Sequence, residues 1–366
     1  MKLSAKPRIA YVADPDLCTP YPSPLAGVAT AIASLGIEYI QLDHRNLTIE
    51  SFRDQIESFK PELIFCMILT PDEVAKVGQF LDQYKPVPAV IWNLEDPNSV
   101  VSPKTSYNMI DLSAKYDMWF GIDHKMVPFW KTRAAFLPIA FDEFVFRDEG
   151  LDRCYDVSYI GQISHGNVTE MYWPYMKELA RYGKKAMMCI DRPMGPPLLP
   201  RRLERLLRSK RRRAFLQKLP IWRCLWTNPK DEREKAAIIN KSKVHFGISR
   251  VRGDWEEMLR QLLPDYPLGA DGLFYQVKSR LFQAAGGGAL ALTDHIPELE
   301  EWFEIDKEIV TFEFGNLEAL REKLAWYLSH ADQREEIARA GYARARRDHT
   351  YSARVRQMLD HVRKEL

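Results

Sequence analysis

Short apolar runs alternate with amphipathic stretches along the first 122 residues of the chain. The runs cover residues 8–13, 39–42, 63–69, 89–93 and 118–122, and each has the length of a buried strand. Stretches with helical periodicity separate the first four of them, at residues 25–35, 51–59 and 72–84. Strands that alternate with helices predict right-handed βαβ units and a parallel sheet that is covered on both faces.

The same alternation restarts after residues 136–146 (FLPIAFDEFVF), which we interpret as a bridge between two domains. Predicted strands follow at residues 157–160, 185–190, 244–248, 289–292 and 309–312, with helices at 171–181 and 317–329. The sequence therefore predicts an α/β protein with an N-terminal domain at residues 1–141 and a C-terminal domain at residues 142–350.

One segment of the predicted C-terminal domain, residues 274–297 (FYQVKSRLFQAAGGGALALTDHIP), combines four elements within a short distance. We expect a helix that begins near Tyr275, a turn at the three consecutive glycines 286–288, and then an apolar strand. A polar loop should follow the strand, and its members are Thr293, Asp294 and His295. This order of elements is typical of a nucleotide site at the carboxyl edge of a parallel sheet.

The helix of this segment carries the chemistry that a nucleotide diphosphate requires. Gln276, Arg280 and Gln283 lie at positions i, i+4 and i+7 and would share one face. The guanidinium offers a cation for phosphate, and the amides offer hydrogen bonds for ribose hydroxyls. Lys278 and the helix N-terminus add positive charge, so we predict that this helix binds a nucleotide diphosphate.

Other candidate residues lie at the ends of the predicted strands, because open parallel sheets bind ligands outside those ends. In the C-terminal domain they are Gly161, Gln162, Ser249 and Arg250. In the N-terminal domain they are Asp14, Asp96 and His124. A carboxylate or imidazole there can take a proton from an acceptor hydroxyl. Asp96 precedes a proline, as turn residues do, and His124 is a lone histidine, so structural roles stay open for both.

Composition and motifs exclude several classes of protein. Of the 366 residues, 46% are hydrophobic and 28% are charged, and no run approaches the 18 apolar residues of a spanning helix. The five cysteines show no C-x-x-C spacing, which predicts reduced thiols in a cytoplasmic protein and no zinc site. Neither a Walker motif nor G-x-G-x-x-G occurs, so an ATPase or an NAD enzyme is not favoured.

A basic insert is predicted at residues 196–226, and its basic part begins at Arg201 and ends at Arg213. This part (RRLERLLRSKRRR) holds eight basic residues and one acidic residue, against 52 basic and 50 acidic residues in the whole chain. Aromatic residues come only after it, so we do not expect a nucleic-acid binder. Its leucines and arginines suit a helix on an anionic membrane surface, a docking strip for an anionic acceptor, or a solvated helix whose leucines cover the domain.

Two motifs near the C-terminus resemble a known family. The first consists of Arg280, Phe282, Gln283, Ala284 and Gly287, followed by Thr293 and Asp294. The second consists of Ile337, Ala338, Gly341, Arg344, His349, Thr350, Tyr351 and Arg354. Together they resemble the C-terminal half of group-1 glycosyltransferases, in particular the spore-maturation CgeB-like branch. The resemblance implies the GT-B architecture, two Rossmann-like domains with a cleft between them, and a last helix, residues 351–366, that packs back on the first domain.

The same resemblance implies a cytoplasmic enzyme that moves a sugar from a nucleotide-diphosphate sugar to an unidentified hydroxyl acceptor, without a metal or another cofactor. The chain departs from the family pattern at Gln283, where relatives carry a ribose-binding glutamate, and at Tyr275, where retaining members carry the first glutamate of a paired acidic motif. An amide still bonds a diol but is not a charged acceptor, and because the family carries Glu at this position we expect Glu to be tolerated there. Two alternatives stay open: a degenerate protein that binds without turnover, and a basic adaptor at a membrane surface.

Overall fold

The computed structural model describes residues 3–14, 24–94, 108–161, 167–189, 225–227, 231–251, 260–268, 274–275 and 277–366. The chain divides into two units. The first consists of Met1–Asp142, Trp255–Leu268 and His349–Leu366, and the second consists of Glu143–Asp254 and Gly269–Asp348. Each unit is built around one six-stranded sheet.

The described strands are, in chain order, β1 (Ile9–Ala13), β2 (Tyr39–Leu42), β3 (Leu63–Met67), β4 (Ala89–Asn93), β5 (Met118–Gly121), β6 (Arg133–Phe136), β7 (Tyr155–Ile160), β8 (Ala186–Cys189), β9 (Leu225–Thr227), β10 (Ser242–Phe246), β11 (Arg250–Val251), β12 (Phe274–Tyr275), β13 (Leu290–Asp294) and β14 (Val310–Phe312).

The described α-helices follow the same order. They are α1 (Pro24–Ser34), α2 (Ile49–Phe59), α3 (Pro71–Gln83), α4 (Met109–Ser113), α5 (Asn167–Ala180), α6 (Glu232–Asn240), α7 (Ser279–Gly286), α8 (Leu317–Ser329), α9 (Ala331–Asp348) and α10 (Tyr351–Glu365). Short 3-10 helices cover His124–Phe129, Gly183–Lys185 and Pro297–Glu301.

The sheet of the first unit has the strand order β2-β1-β3-β4-β5-β6, and all neighbours are parallel. Every residue of β1, β3 and β4 is buried, which explains why these strands are continuous apolar runs. Two of the covering helices begin at threonine capping boxes, Thr48 with Ser51 before α2 and Thr70 with Glu73 before α3.

Helix α10, the last helix of the chain, contributes to the core of the first unit. Its apolar side chains recur at helical spacing and pack with those of β1, β3, β4 and α1; they are Tyr351, Val355, Met358, Leu359 and Val362. Gly27 on α1 leaves room for this helix, because a Cβ there would lie 2.8 Å from the Tyr351 ring. The C-terminal residues therefore complete the hydrophobic core that the first 140 residues begin.

The sheet of the second unit has the order β14-β13-β10-β7-β8-β9, again with parallel neighbours. One face packs on α5 and α8 through Val157, Val244 and Leu290 on the strands and Met176 and Leu324 on the helices. Strands β11 and β12 form a separate two-residue antiparallel pair.

The glycines after α7 serve both as a turn and as a close contact. Gly288 has φ +79°, which favours glycine, and a Cβ at Gly287 would lie 2.6 Å from the side chain of Ile239 on α6. At the end of this helix, Gly288 is therefore needed for the turn and Gly287 for the close contact with α6.

Several boundaries differ from those predicted. Helix α7 begins at Ser279, and Tyr275 instead pairs with Arg250, so the helix does not begin near Tyr275. Thr293 and Asp294 were expected in a loop, but they are the last residues of β13, because β14 pairs with the strand as far as Asp294.

Some elements were not predicted at all. Strand β6 (RAAF) is half-exposed and lacks an apolar run, so the sequence placed its last residue in the bridge. Helices α6 and α9 are rich in charged residues, and therefore show no clear apolar stripe. Polar helices of this kind are stabilised by packing that the sequence pattern does not reveal.

Candidate functional site

The sheet of the second unit reverses its chain order between β7 and β10. The chain continues from β7 to β8 and β9 on one side, and β10, β13 and β14 extend the other side. Open α/β sheets bind ligands in the crevice at such a switch point, outside the carboxyl ends of the strands. Gly161 follows β7 and residues 247–249 follow β10, so both flank this crevice.

Arg280, in the first turn of α7, places its guanidinium at the switch point. Its Nη1 donates a hydrogen bond of 3.0 Å to the Tyr159 hydroxyl, and its Cζ lies 5.4 Å from the centroid of the Tyr159 ring. Tyr159 is fully buried near the end of β7, whereas Arg280 is half-buried. Because a guanidinium keeps its charge in proteins, a fixed cation lies at the edge of the sheet.

Gly161 provides the space that this guanidinium occupies. A Cβ at residue 161 would lie 2.7 Å from Nη1 and 2.8 Å from Cζ of Arg280. Any side chain at this position would therefore displace the cation. The structure brings Gly161 and Arg280 together. That the two residues bind a nucleotide diphosphate stays a prediction.

Ser249, Thr293 and Asp294 form a buried hydrogen-bonded group at the ends of β10 and β13. The Ser249 N–H donates to Asp294 Oδ1 at 2.5 Å, and the Thr293 hydroxyl donates to the same oxygen at 3.2 Å. All three side chains are buried, and that of Asp294 is fully inaccessible. These contacts tie the loop after β10 to β13, so Thr293 and Asp294 orient the backbone that borders the crevice.

A buried pair, Ser158 and His245, connects β7 and β10 at the switch point. The Ser158 hydroxyl lies 2.8 Å from His245 Nδ1, and His245 is 2% exposed. Burial first, and then the charge of Arg280, lowers the pKa of His245 to about 3. The imidazole is therefore neutral at pH 7 and adds no second cation beside Arg280.

Gln283 lies one turn after Arg280 and contacts a carboxylate that the sequence did not single out. Its Nε2 donates to Glu232 Oε2 at 3.2 Å, and Glu232 Oε1 forms a 2.6 Å ion pair with Lys235. Both partners belong to α6, and Gln283 is 9% exposed. The signal for α6 was present at Asp231, whose side chain accepts from the Glu234 N–H as an N-cap.

The remaining candidates of the second unit are dispersed. Lys278 occupies the N-cap position of α7, and no side-chain cap hydrogen bond is formed there. The His295 side chain is 41% exposed, lies 3.1 Å from Glu300, and borders a cavity of about 470 Å³ that Thr311, Glu313 and Lys323 also line. His295 is thus a surface residue near β14.

In the first unit, Asp14 follows β1, beside the switch point between β1 and β3. Its carboxylate is buried and lies 2.7 Å from Nη2 of Arg45, which also forms a 2.9 Å ion pair with Asp43. The Arg45 charge therefore orients Asp14 at the edge of the sheet.

His124 lies elsewhere on the same edge, after β5. It is exposed, and its ring contacts Phe136 edge-on with a centroid distance of 5.7 Å. Its neighbour Asp123 is buried and accepts a hydrogen bond from the Tyr266 hydroxyl, and burial raises the pKa of Asp123. Three strand spacings separate β1 from β5, so Asp14 and His124 are about 14 Å apart along the edge.

Several predictions concern parts of the chain that the structure does not describe. Asp96, Gln162, Gln276 and the basic segment from Arg201 to Arg213 lie outside the described residues, as do the side chains of Arg250 and Tyr275. Among the residues that are described, no group of three or more His, Cys, Asp or Glu could hold a metal ion. Within the same ranges, no helix has the length and apolar character needed to cross a membrane.

Solved structures of low sequence identity share this fold over nearly the whole chain. Sucrose-phosphate synthase from Thermosynechococcus elongatus is 13% identical, with a TM-score of 0.62 and 98% of each chain covered. A glycosyltransferase from Rickettsia africae is 11% identical, with a TM-score of 0.61 and 99% of each chain covered. HepE from Anabaena, solved with UDP and glucose, is 10% identical, with a TM-score of 0.58, and the match covers 97% of this chain and 99% of HepE.

The fold is therefore that of the GT-B glycosyltransferases, with two Rossmann-like units. Residues 201–360 also match the family model described as "Glycosyl transferase-like", a range that contains α7, β13 and β14. No curated protein matches the chain.

Proposed function

We propose that this protein is a glycosyltransferase that moves a sugar from a nucleotide-diphosphate sugar to a hydroxyl acceptor. The match of residues 201–360 to a glycosyl transferase-like family and the GT-B fold both support this proposal. In the proposed reaction, the second unit binds the nucleotide diphosphate and the first unit binds the acceptor. HepE was solved with UDP and glucose, so UDP is the first diphosphate to test, and a hexose the first sugar.

The observation that carries the proposal is the position of Arg280 at the switch point of the second sheet. A guanidinium and the N-terminus of α7 present positive charge where open α/β sheets bind ligands. When the sugar leaves, negative charge develops on the diphosphate, and preorganised cations stabilise it. Arg280, assisted by Lys278, would supply this stabilisation without a metal ion.

Five other residues are proposed to assist Arg280 in donor binding: Gly161, Ser249, Gln283, Thr293 and Asp294. Gly161 lets the ligand and the guanidinium approach the backbone closely, and the loop that starts at Ser249 offers backbone N–H groups. Gln283 would bond the ribose hydroxyls with its amide. Thr293 and Asp294 would act through the loop that they fix, because both are buried.

The acceptor needs a base if the reaction inverts the anomeric centre, and an orienting group if it retains it. Asp14 and His124 are the described candidates. Because about 14 Å separates them along the sheet edge, only one of them can act on a given reacting atom. Asp14 is oriented by Arg45, whereas His124 is open to solvent.

Purified full-length protein tests the proposal in two steps. A thermal-shift screen with UDP, ADP and GDP and their sugar conjugates identifies the donor, since a ligand at 100 times its Kd adds about 2.7 kcal/mol of stability. Release of the nucleoside diphosphate from that sugar conjugate is then measured. A protein that neither binds a diphosphate nor releases one contradicts the proposal.

A second candidate function is nucleotide binding without turnover. The lack of a carboxylate at positions 275 and 283, which are Tyr and Gln, favours it. Asp14 is also held in an ion pair. Binding of a nucleotide sugar with no release of diphosphate, in the presence of a broad set of hydroxyl acceptors, supports this alternative.

We further propose that the protein belongs to the CgeB-like branch, is cytoplasmic, and uses the segment from Arg201 to Arg213 to recruit an anionic membrane or an anionic acceptor. The local charge of the segment supports recruitment, and its effect should weaken with salt. Replacement of Arg211, Arg212 and Arg213 by Ser should lower liposome binding or raise the acceptor KM at low salt. If neither changes, the segment has no recruiting role.

A further inference from the structure

Tyr159 contacts the Arg280 guanidinium in two ways at once. Its hydroxyl accepts a 3.0 Å hydrogen bond from Nη1, and its ring lies 5.4 Å from Cζ. The tyrosine itself is rigid, because its ring is fully buried in the core of the second unit near Phe246. An arginine side chain that forms such contacts loses less entropy when it binds an anion, because part of its freedom is already restricted.

The surroundings of the pair are suited to hold one orientation of the guanidinium. Gly161 leaves open the volume that the cation fills, and a Cβ at Gly247 would lie 3.8 Å from Arg280 Cδ. The imidazole of His245 is neutral at pH 7, so it does not repel the guanidinium. These features keep the guanidinium between the carboxyl ends of β7 and β10.

We propose that Tyr159 is a positioning residue of the donor site, which holds Arg280 in the orientation that binds the diphosphate of a nucleotide. This inference rests on the proposed function and deepens it. Tyr159 does not contact the ligand; it acts through Arg280. Its removal should therefore affect binding of the diphosphate and leave binding of the nucleoside unchanged.

Tyr159→Phe tests this role, because it removes the hydroxyl and retains the ring in the core. We expect UDP to bind about tenfold more weakly, which corresponds to about 1.4 kcal/mol and is near the value of one hydrogen bond to a charged group. Uridine should bind as it does to the wild type. Gly161→Ala should weaken UDP binding in the same selective way, since its Cβ would displace the guanidinium.

Tyr175→Phe is the matched control. Tyr175 is another buried tyrosine of the same core, and its hydroxyl accepts a 2.7 Å hydrogen bond from the Gly315 N–H. The control should lower the stability of the protein and leave UDP affinity unchanged, which separates a positioning effect from general loosening of the core.

A double-mutant cycle with Arg280→Ala completes the experiment, with isothermal titration of UDP, ADP and GDP and their nucleosides. Tyr159→Phe should have no further effect once Arg280 is Ala, because it acts only through that residue. If the wild type binds none of the three diphosphates, the proposed function is wrong and this inference is wrong with it. If Arg280→Ala weakens binding but Tyr159→Phe does not, or if their effects add, the proposed function stands and Tyr159 has no positioning role.

Discussion

Nη2 of Arg354 lies 3.0 Å from Nδ1 of His349, and because a guanidinium only donates, the imidazole nitrogen accepts. The same arginine donates from Nε to the Pro138 carbonyl at 2.8 Å and from Nη1 to Gln357 at 3.0 Å. Thr350 caps α10 by accepting from the Ala353 N–H. The part of the C-terminal motif from His349 to Arg354 thus attaches α10 to the rest of the first unit.

Arg354→Lys should destabilise the protein by on the order of 3 kcal/mol. A lysine ammonium keeps the charge but cannot bond Pro138, His349 and Gln357 together, and it leaves buried acceptors without partners. Urea denaturation measures the loss. Arg356→Lys is the control, because Arg356 is exposed on the same helix and its replacement should change little. Equal effects at the two positions would show that the buried contacts contribute no net stability.

Arg280→Ala should weaken binding of UDP by roughly 1.5–3 kcal/mol, the contribution of a hydrogen bond to a charged group. Binding of uridine should hardly change, because in the proposed function the guanidinium contacts only the phosphates. Isothermal titration with both ligands measures the difference. Equal losses for UDP and uridine would contradict the assignment of Arg280 to the diphosphate.

Much of the fold was accessible from the sequence because strands and helices alternate with different periods. The runs at residues 39–42 and 89–93 coincide with β2 and β4, and the helix at residues 317–329 coincides with α8. Parallel pairing then places the ends of β7 and β10 at one edge, so Gly161 and Ser249 could be expected beside the same crevice.

The residues that the sequence did not reveal act through contacts across elements. In the sequence, Tyr159 has the pattern of an ordinary strand residue. Its proposed role depends on Arg280, which comes 121 residues later in the chain. Glu232 lies in a charged helix without an apolar stripe, and its contact with Gln283 follows from how α6 packs against α7. Tyr275 lies in β12 and not at the start of α7, because β12 pairs with β11, and local propensity does not specify this pairing.

Gln283→Glu should destabilise the protein by on the order of 2 kcal/mol, whereas the family resemblance by itself predicts that glutamate is tolerated there. The new carboxylate would lie near Glu232, whose oxygen is 3.2 Å from the Gln283 amide, and like charges repel strongly in a partly buried site. Urea denaturation at pH 7 measures the loss. The reciprocal exchange, Gln283→Glu with Glu232→Gln, should restore most of it, and failure to do so would show that the two side chains do not interact.

His245 should make the stability of the protein depend on pH from about 6.5 down to about 3. Its pKa is about 3 in the folded protein and near 6.5 in the unfolded chain, so the unfolded chain binds the extra proton in this window. Stability is therefore lost as pH falls, by up to about 1.4 kcal/mol per pH unit. His245→Asn keeps a hydrogen-bonding group near Ser158 and does not titrate, so this contribution to the slope should disappear.

Glu73 does not obscure the effect of His245 between pH 7.5 and 5, because the contribution of Glu73 to stability changes only at lower pH. Burial raises the pKa of Glu73, but hydrogen bonds from His44 and Thr70 outweigh burial and lower it to about 2, so its contribution is lost only below about pH 4.5. Urea denaturation of the wild type, His245→Asn and Ser158→Ala from pH 7.5 to 5 separates the contribution of His245 from that of other titrating groups. Ser158→Ala keeps the imidazole and should keep the slope. A slope that persists in His245→Asn would mean that another group takes up the proton, and that His245 is not the residue through which acid weakens the second unit.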